Sequence, residues 1–332
     1  MEIKQPPFTI TNGMIEKIAE IAELTGRLSA VSQLCKNPTL RRKNRIRTIY
    51  SSLAIEQNIL TVEQVTAVLN GKHVLAPPKD IEEVKNAYEI YEILDKLDMY
   101  SIDDLLKAHG IMMKGLINEA GEFRSNPVGV VDSKTREVIH FGTLPQYVPE
   151  LVDKLLMWLK QTDVHPLIKS CVFHYEFELI HPFSDGNGRI GRLWHTLILS
   201  KWNSLFAWLP IESMIHKRQQ QYYNAINYCN NACESTAFIE FMLEAIRDTL
   251  LEAIETTYSD EQVSEQVVEQ DELVEFCKEP RTRNEMQIFC GIEGRKKFNE
   301  KYLKPLLTSG KLAMTIPDKP NSKNQKYISS MK

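Results

Sequence analysis

The segment His181-Pro182-Phe183-Ser184-Asp185-Gly186-Asn187-Gly188-Arg189-Ile190-Gly191-Arg192 concentrates side chains that can do chemistry. Gly186 and Gly188 flank Asn187, so the chain there can turn tightly and present its backbone N–H groups. A helix beginning at this point would turn its dipole and its unpaired N–H groups toward an anion. Arg189 and Arg192 are three residues apart, hence on one helical face, and can clamp a polyphosphate. Asp185 offers a hard oxygen ligand for Mg²⁺, the usual companion of phosphates. His181, at the start of the loop, can accept a proton near neutral pH. Each residue alone is as well explained by a turn, a helix cap or a solvated charge. Their co-occurrence is what makes an anion cradle, a metal ligand and a base.

Helices must position this segment. Leu167 to Ile180 is apolar nearly all round, the pattern of a central bundle helix, and Ile190 to Trp202 continues beyond the loop as another. Further upstream, Met14 to Val31 repeats at three- and four-residue spacings, with Asn37-Pro38 after it. A second helix is expected over about 42–59, and others around Ile81 to Leu94 and Leu105 to Leu116. Val128 to Val131 and Val138 to Phe141 are β-branched runs around Asp132-Ser133-Lys134-Thr135, which predicts a β-hairpin. Helices resume from Val148 to Leu159, from Ser213 to Cys229, and from Thr236 onward.

The chain has 332 residues and a net charge of −4. These values are ordinary for a soluble protein, and no run approaches the ~18 apolar residues of a membrane span. The six cysteines show no CxxC and no disulfide-scaffold clustering, which suggests free thiols and a cytoplasmic location. His165, His174 and His181 are too widely spaced for a compact metal-ligand set. Nine acidic residues and no basic one lie between Glu252 and Glu275, reading as a helix end and linker. Cys277 to Lys332 carries a net charge of +8. Its pattern of helix, turn, helix and two short strands, Leu312 to Ile316 and Gln325 to Ile328, is the order of a winged helix-turn-helix.

The segment His181 to Arg192 resembles the signature HxFx(D/E)GNGRxxR of Fic domains, with every specified position matched. The likeness extends over about residues 41–251, including Gly121-Glu122-Phe123-Arg124 ahead of the hairpin, similar to the family's target-docking flap. It implies a mainly α Fic-type bundle with a β-hairpin flap. It also implies transfer of AMP from ATP to a side-chain hydroxyl of a protein. By the same resemblance His181 is the base and Asp185 the Mg²⁺ ligand. Gly186, Asn187 and Gly188 cradle phosphate oxygens through backbone N–H groups, with the Asn187 side chain as a further donor. Arg189 stabilises developing charge and Arg192 holds the γ-phosphate. Tyr223 and Asn230 resemble the adenine-contacting segment. A protein substrate would dock on the hairpin near Val138–Phe141 by strand addition.

Ser51-Ser52-Leu53-Ala54-Ile55-Glu56-Gln57-Asn58 resembles the family's inhibitory helix motif (S/T)xxxE(G/N). The resemblance implies that Glu56, supported by Ser52, pairs with Arg192 and excludes a productive ATP pose. Gln57 departs from the motif, where Gly or Asn is usual. The domain organisation expected is an N-terminal helical region at 1–75, a Fic core at 76–251, an acidic helix end and linker at 252–271 and a winged helix-turn-helix at 272–332. Other readings stay open: removal of AMP, transfer of another phosphate-containing group, or a nucleotide-sensing DNA-binding regulator. The basic tail suits DNA or a protein partner, no membrane partner is expected, and a homodimer is compatible with the sequence.

Overall fold

In the computed structural model the described residues are 5–31, 34, 37–131, 138–290, 295–319, 322 and 325–330. The first of two compact units runs to Ile254. Its helices are α1 (Asn12–Val31), α2 (Pro38–Ile55), α3 (Val62–Leu69), α4 (Pro78–Glu92) and α5 (Ile102–Met112). The strands β1 (Gly129–Val131) and β2 (Val138–Phe141) follow, then α6 (Val148–Gln161), α7 (Pro166–Ile180), α8 (Asn187–Trp202), α9 (Ile211–Lys217), α10 (Gln219–Ala232) and α11 (Thr236–Phe276). The protein is mainly α, as its sequence implies, with one hairpin on a helical body.

Helix α7 is the hub. Leu167, Ile168, Cys171, Val172, Phe173, Tyr175 and Phe177 are all buried, so both of its faces are covered. It packs most extensively against α8, the helix that follows the loop. One apolar core runs continuously from Met14 to Ile254, so the structure draws no domain boundary near residue 75.

The helix capped by Glu56 spans Pro38–Ile55 rather than about 42–59. Asn37-Pro38, after the first helix, also starts the second. The Asn37 side chain accepts from the N–H groups of Thr39 and Leu40, and Pro38 sits where its missing N–H costs nothing. The end comes early because Gln57 takes a left-handed conformation, φ 68°. Its N–H bonds the Ala54 carbonyl and that of Asn58 bonds the Leu53 carbonyl, both at 3.1 Å, a Schellman closure. Helix α8 begins at Asn187, three residues before the expected start, because Gly186 turns the chain at φ 85°. The expected Ser213–Cys229 helix is broken into α9 and α10 at Arg218. Helix α3, capped by the reciprocal Thr61–Gln64 pair, was not anticipated.

The hairpin is antiparallel with Gly129 opposite Phe141, and the expected Asp132–Thr135 turn lies outside the described residues. The second unit, Glu255–Lys332, has its own core around Leu273, Cys277, Met286, Phe298, Leu306 and Tyr327. Where a linker is expected the chain remains helical to Phe276. Beyond it lie β3 (Arg281–Thr282), α12 (Arg283–Phe289), α13 (Arg295–Phe298), a π-helical turn at Asn299–Leu303 and α14 (Lys304–Thr308). The strands β4 (Leu312–Met314) and β5 (Lys326–Ser329) complete a three-stranded sheet of order β3-β5-β4. The two later strands fall where the sequence places them; β3 is additional.

Candidate active site

The site lies at the junction of α7 and α8. His181 closes α7 in the left-handed region, φ 52°, with its N–H on the Phe177 carbonyl at 3.0 Å. Its Nδ1 is 3.4 Å from the Glu178 carbonyl. If Nδ1 carries the proton and donates there, the neutral ring has its lone pair on Nε2.

At the far side of the loop α8 starts with no side-chain cap, and its first ladder bond runs from the Ile190 N–H to the Gly186 carbonyl. The N–H groups of Asn187, Gly188 and Arg189 therefore precede the helix ladder, an arrangement suited to an anion. The Gly186 N–H is instead held by Asp185 Oδ1 at 2.6 Å. The Asn187 side chain also differs from the role its resemblance implies. Its Nδ2 donates to the Phe183 carbonyl and its Oδ1 accepts from the Phe183 N–H, both at 2.9 Å, so the amide closes the loop. Only its backbone remains for an anion.

Both arginines are buried and both are paired. Arg192 Nη2 donates to Glu56 Oε1 at 2.7 Å and to the Ser52 carbonyl at 2.9 Å, and its Nε donates to Ser52 Oγ at 3.0 Å. Burial works against its charge, yet the Glu56 carboxylate, together with Tyr222 and Glu178, outweighs it and holds the guanidinium above its ordinary pKa. Glu56 and Ser52 thus meet the residue their motif implies. The Glu56 side chain is one-third exposed. Tyr223 lies by the same helix end, its hydroxyl donating to the Ile55 carbonyl at 3.3 Å beside Gln219, which reaches that carbonyl at 2.9 Å. Asn230, two turns further along α10, accepts from the Tyr175 hydroxyl at 3.0 Å.

Arg189 Nη2 donates to Asp185 Oδ1 at 3.0 Å, while its Nη1 donates to Glu83 Oε1 on α4 at 2.9 Å. The other Glu83 oxygen accepts from Asn58 Nδ2 at 2.8 Å. The sequence reading missed Glu83, because nothing in a helix such as IEEVKNAY says which acid faces inward. It also gave no role to His109, which stacks on Phe183 with ring centroids 3.7 Å apart. His109 Nδ1 accepts from the Gly121 N–H at 2.9 Å, which leaves Nε2–H to donate to the Asp185 carbonyl at 3.0 Å. Burial lowers His109 to a pKa of about 4, so the ring is neutral. Behind the loop, burial raises the Glu178 carboxyl to about 7, with the neighbouring charge of Glu56 adding to it.

Arg124 ties the flap to the loop. Its guanidinium donates to the carbonyls of His181 at 2.6 Å, Asn126 at 2.9 Å, Ile180 at 3.4 Å and Thr143. The Arg124 N–H bonds the Pro182 carbonyl at 3.0 Å. Among the described residues no group of three or more acidic, His or Cys side chains is arranged to hold a metal, and the described cysteines are free thiols. No helix among them is long and apolar enough to cross a membrane.

Comparison with known proteins follows the same lines. Residues 99–199 match the Fic/DOC family, and residues 265–328 match the C-terminal domain of Filamentation induced by cAMP protein Fic-like. The chain is 28% identical over 214 residues to a protein adenylyltransferase Fic of Nematostella vectensis, covering 61% of this chain and 47% of that one. It is 30% identical over 195 residues to protein adenylyltransferase fic-1 of Caenorhabditis elegans, covering 55% and 36%. The chain thus spans half or less of the length of these curated relatives. A crystal structure of a Fic family protein from Desulfovibrio desulfuricans G20 superposes with a TM-score of 0.77 at 44% identity over 99% of both chains. With that identity along nearly the whole of both chains, and the intact motif joining α7 to α8, the chain belongs to the Fic family.

Proposed function

We propose that the protein is an adenylyltransferase that moves AMP from ATP to a hydroxyl side chain of a protein. The observation that carries this reading is the uncapped start of α8, set between the Asp185 carboxylate and the buried Arg189 and Arg192 guanidinium groups. His181 Nε2 takes the proton of the target hydroxyl. The oxygen attacks the α-phosphorus, the bond to the β-phosphate oxygen breaks, and pyrophosphate leaves. Backbone N–H groups at Asn187, Gly188 and Arg189 receive phosphate oxygens, and catalysis is positioning plus electrostatics. Names of the curated relatives support the reaction class.

The donor set suits Mg²⁺. The Asp185 side chain is 46% exposed, with Oδ1 engaged by Arg189 and the Gly186 N–H. A lone carboxylate completed by phosphate oxygens and water is the way Mg²⁺ is commonly held beside nucleotides. When bound it neutralises phosphate charge. The unpaired edge of the two-stranded hairpin is where an extended target segment would add as a strand. Tyr223 and Asn230 remain the proposed adenine-side residues.

The protein is held inactive by Glu56. Its carboxylate takes Arg192, the proposed γ-phosphate ligand, and repels the phosphate itself. Labelled ATP with Mg²⁺, offered to the wild type beside Glu56→Gly, tests the whole reading. Labelled protein that rises in the variant is expected. No label in either sinks AMP transfer, and label only from another nucleotide assigns a different group. Slower removal of AMP from a modified protein in Glu56→Gly would make Glu56 part of the reverse-type reaction.

A further inference from the structure

Arg189 is buried between two carboxylates, Asp185 and Glu83, and only Asp185 belongs to the motif. Glu83 is itself buried on α4, and its two oxygens are divided. Oε1 takes Arg189 Nη1 at 2.9 Å and Oε2 takes Asn58 Nδ2 at 2.8 Å. Asn58 is held in turn by the Asp80 carbonyl at 3.1 Å and by its own Oδ1, which accepts the Leu60 N–H at 3.1 Å. It is the last residue of the Schellman closure that sets Glu56 at the end of α2. A continuous polar chain therefore runs from the proposed brake through Asn58, Glu83 and Arg189 to Asp185.

We propose that Glu83 is a positioning residue of the nucleotide site, which balances Arg189 so that Asp185 stays available to Mg²⁺ and couples that balance to the brake segment through Asn58. This rests on the proposed function for ATP as the probe, for Asp185 as the Mg²⁺ ligand and for Glu56 as the brake. The electrostatics are specific. With Glu83 ionised, the Arg189 charge is shared between two carboxylates. With Glu83 neutral, Arg189 leans on Asp185 alone, and the surroundings of the metal ligand gain one positive charge. Arg189 and Glu83 are buried, so that charge is little screened on their side of the site, and it acts against a nearby cation and in favour of phosphate. Metal binding should weaken while metal-free nucleotide binding holds or tightens. A merely structural contact would move both together.

The test is calorimetry of ATP binding to the full chain in the Glu56→Gly background, once with EDTA and once across a Mg²⁺ titration. Glu83→Gln keeps the shape of the side chain but removes its charge, and its single carbonyl oxygen can accept from only one of the two donors, Arg189 or Asn58. It should raise the Mg²⁺ concentration for half-maximal effect by about tenfold, a typical result of disturbing a group that orients a metal ligand. Affinity for ATP in EDTA should be equal or greater. Asn58→Ala leaves the ion pair intact, so the test survives if Glu83→Gln fails to fold. It should raise the Mg²⁺ requirement in the same direction and by less. An unchanged Mg²⁺ requirement in both variants, or a parallel fall of both affinities, overturns the proposal. ATP binding with no transfer of AMP would instead sink the reaction while leaving the Glu83 result to stand on its own.

Discussion

Glu56 Oε1 fills the space that a Cβ on Gly188 would take. The carboxylate therefore rests on the first turn of α8, against the backbone where a phosphate would sit. A like-charged phosphate a few ångströms away in a partly desolvated site costs several kcal/mol, and each ~1.4 kcal/mol is tenfold in rate or binding. Glu56→Gly should raise Mg²⁺-dependent self-modification by AMP more than about tenfold. Adding His181→Ala should remove it again, by about 10²–10⁴-fold, while ATP binding persists. Labelled-ATP assays on the three chains check this, and a double variant as active as Glu56→Gly would remove His181 as the base.

Gln57 is a side chain in a glycine's conformation. At φ 68° it carries strain that glycine would not, which also accounts for the Gly or Asn usual at that position of the motif. Gln57→Gly should stabilise the end of α2 by about 0.5–1 kcal/mol, read as a higher urea midpoint, and should lower residual self-modification. A lower midpoint would mean that the Gln57 side chain makes up for its backbone.

His109 gives the loop an acid limit. Its folded pKa of about 4 lies below the ordinary 6.5, so the neutral ring belongs to the native state. Its contribution is complete above pH 6.5 and is lost as the pH falls toward 4, up to about 3 kcal/mol. Burial lowers His195 to about 3 and His174 well below 6.5, in the same sense. The urea midpoint should fall over this range, and less steeply in His109→Gln. Equal slopes would exclude His109 as a contributor.

Arg124 replaces several missing carbonyl partners at once. Removing it leaves the carbonyls of His181, Ile180 and Thr143 without that donor, and Arg124→Ala should cost about 2–3 kcal/mol. Lysine should not rescue it, because a point charge cannot reproduce the planar fork. Urea unfolding of both variants measures this, and full stability in Arg124→Lys would show that charge alone suffices.

The basic C-terminal segment has its own core, and for its +8 charge we propose DNA or a protein as partner. If that partner is DNA, retention of the full chain on duplex should fall steeply with salt through counterion release. No retention at low ionic strength would leave protein docking as the reading.

The local chemistry was legible in the sequence because it depends on neighbours. The His181–Arg192 segment brings its glycines, carboxylate and arginines together over one turn and one helix start. The all-round apolar run of α7 announces a central helix, and the paired β-branched runs announce a hairpin. Cap signals are equally local, as in the Thr61–Gln64 pair that starts α3. Packing decided the rest. Ser52 and Glu56 are 140 and 136 residues from Arg192, and Glu83 is 106 residues from Arg189. The motif implied the first pairing; nothing in α4 marks Glu83 rather than Glu82 as the inward acid. Periodicity tells that a helix has a buried face, but the side chain opposite that face is set by how helices distant in sequence cross. The same holds for Arg124, His109 and Asn58, ordinary residues in the chain that become partners of the loop only when the bundle closes around it.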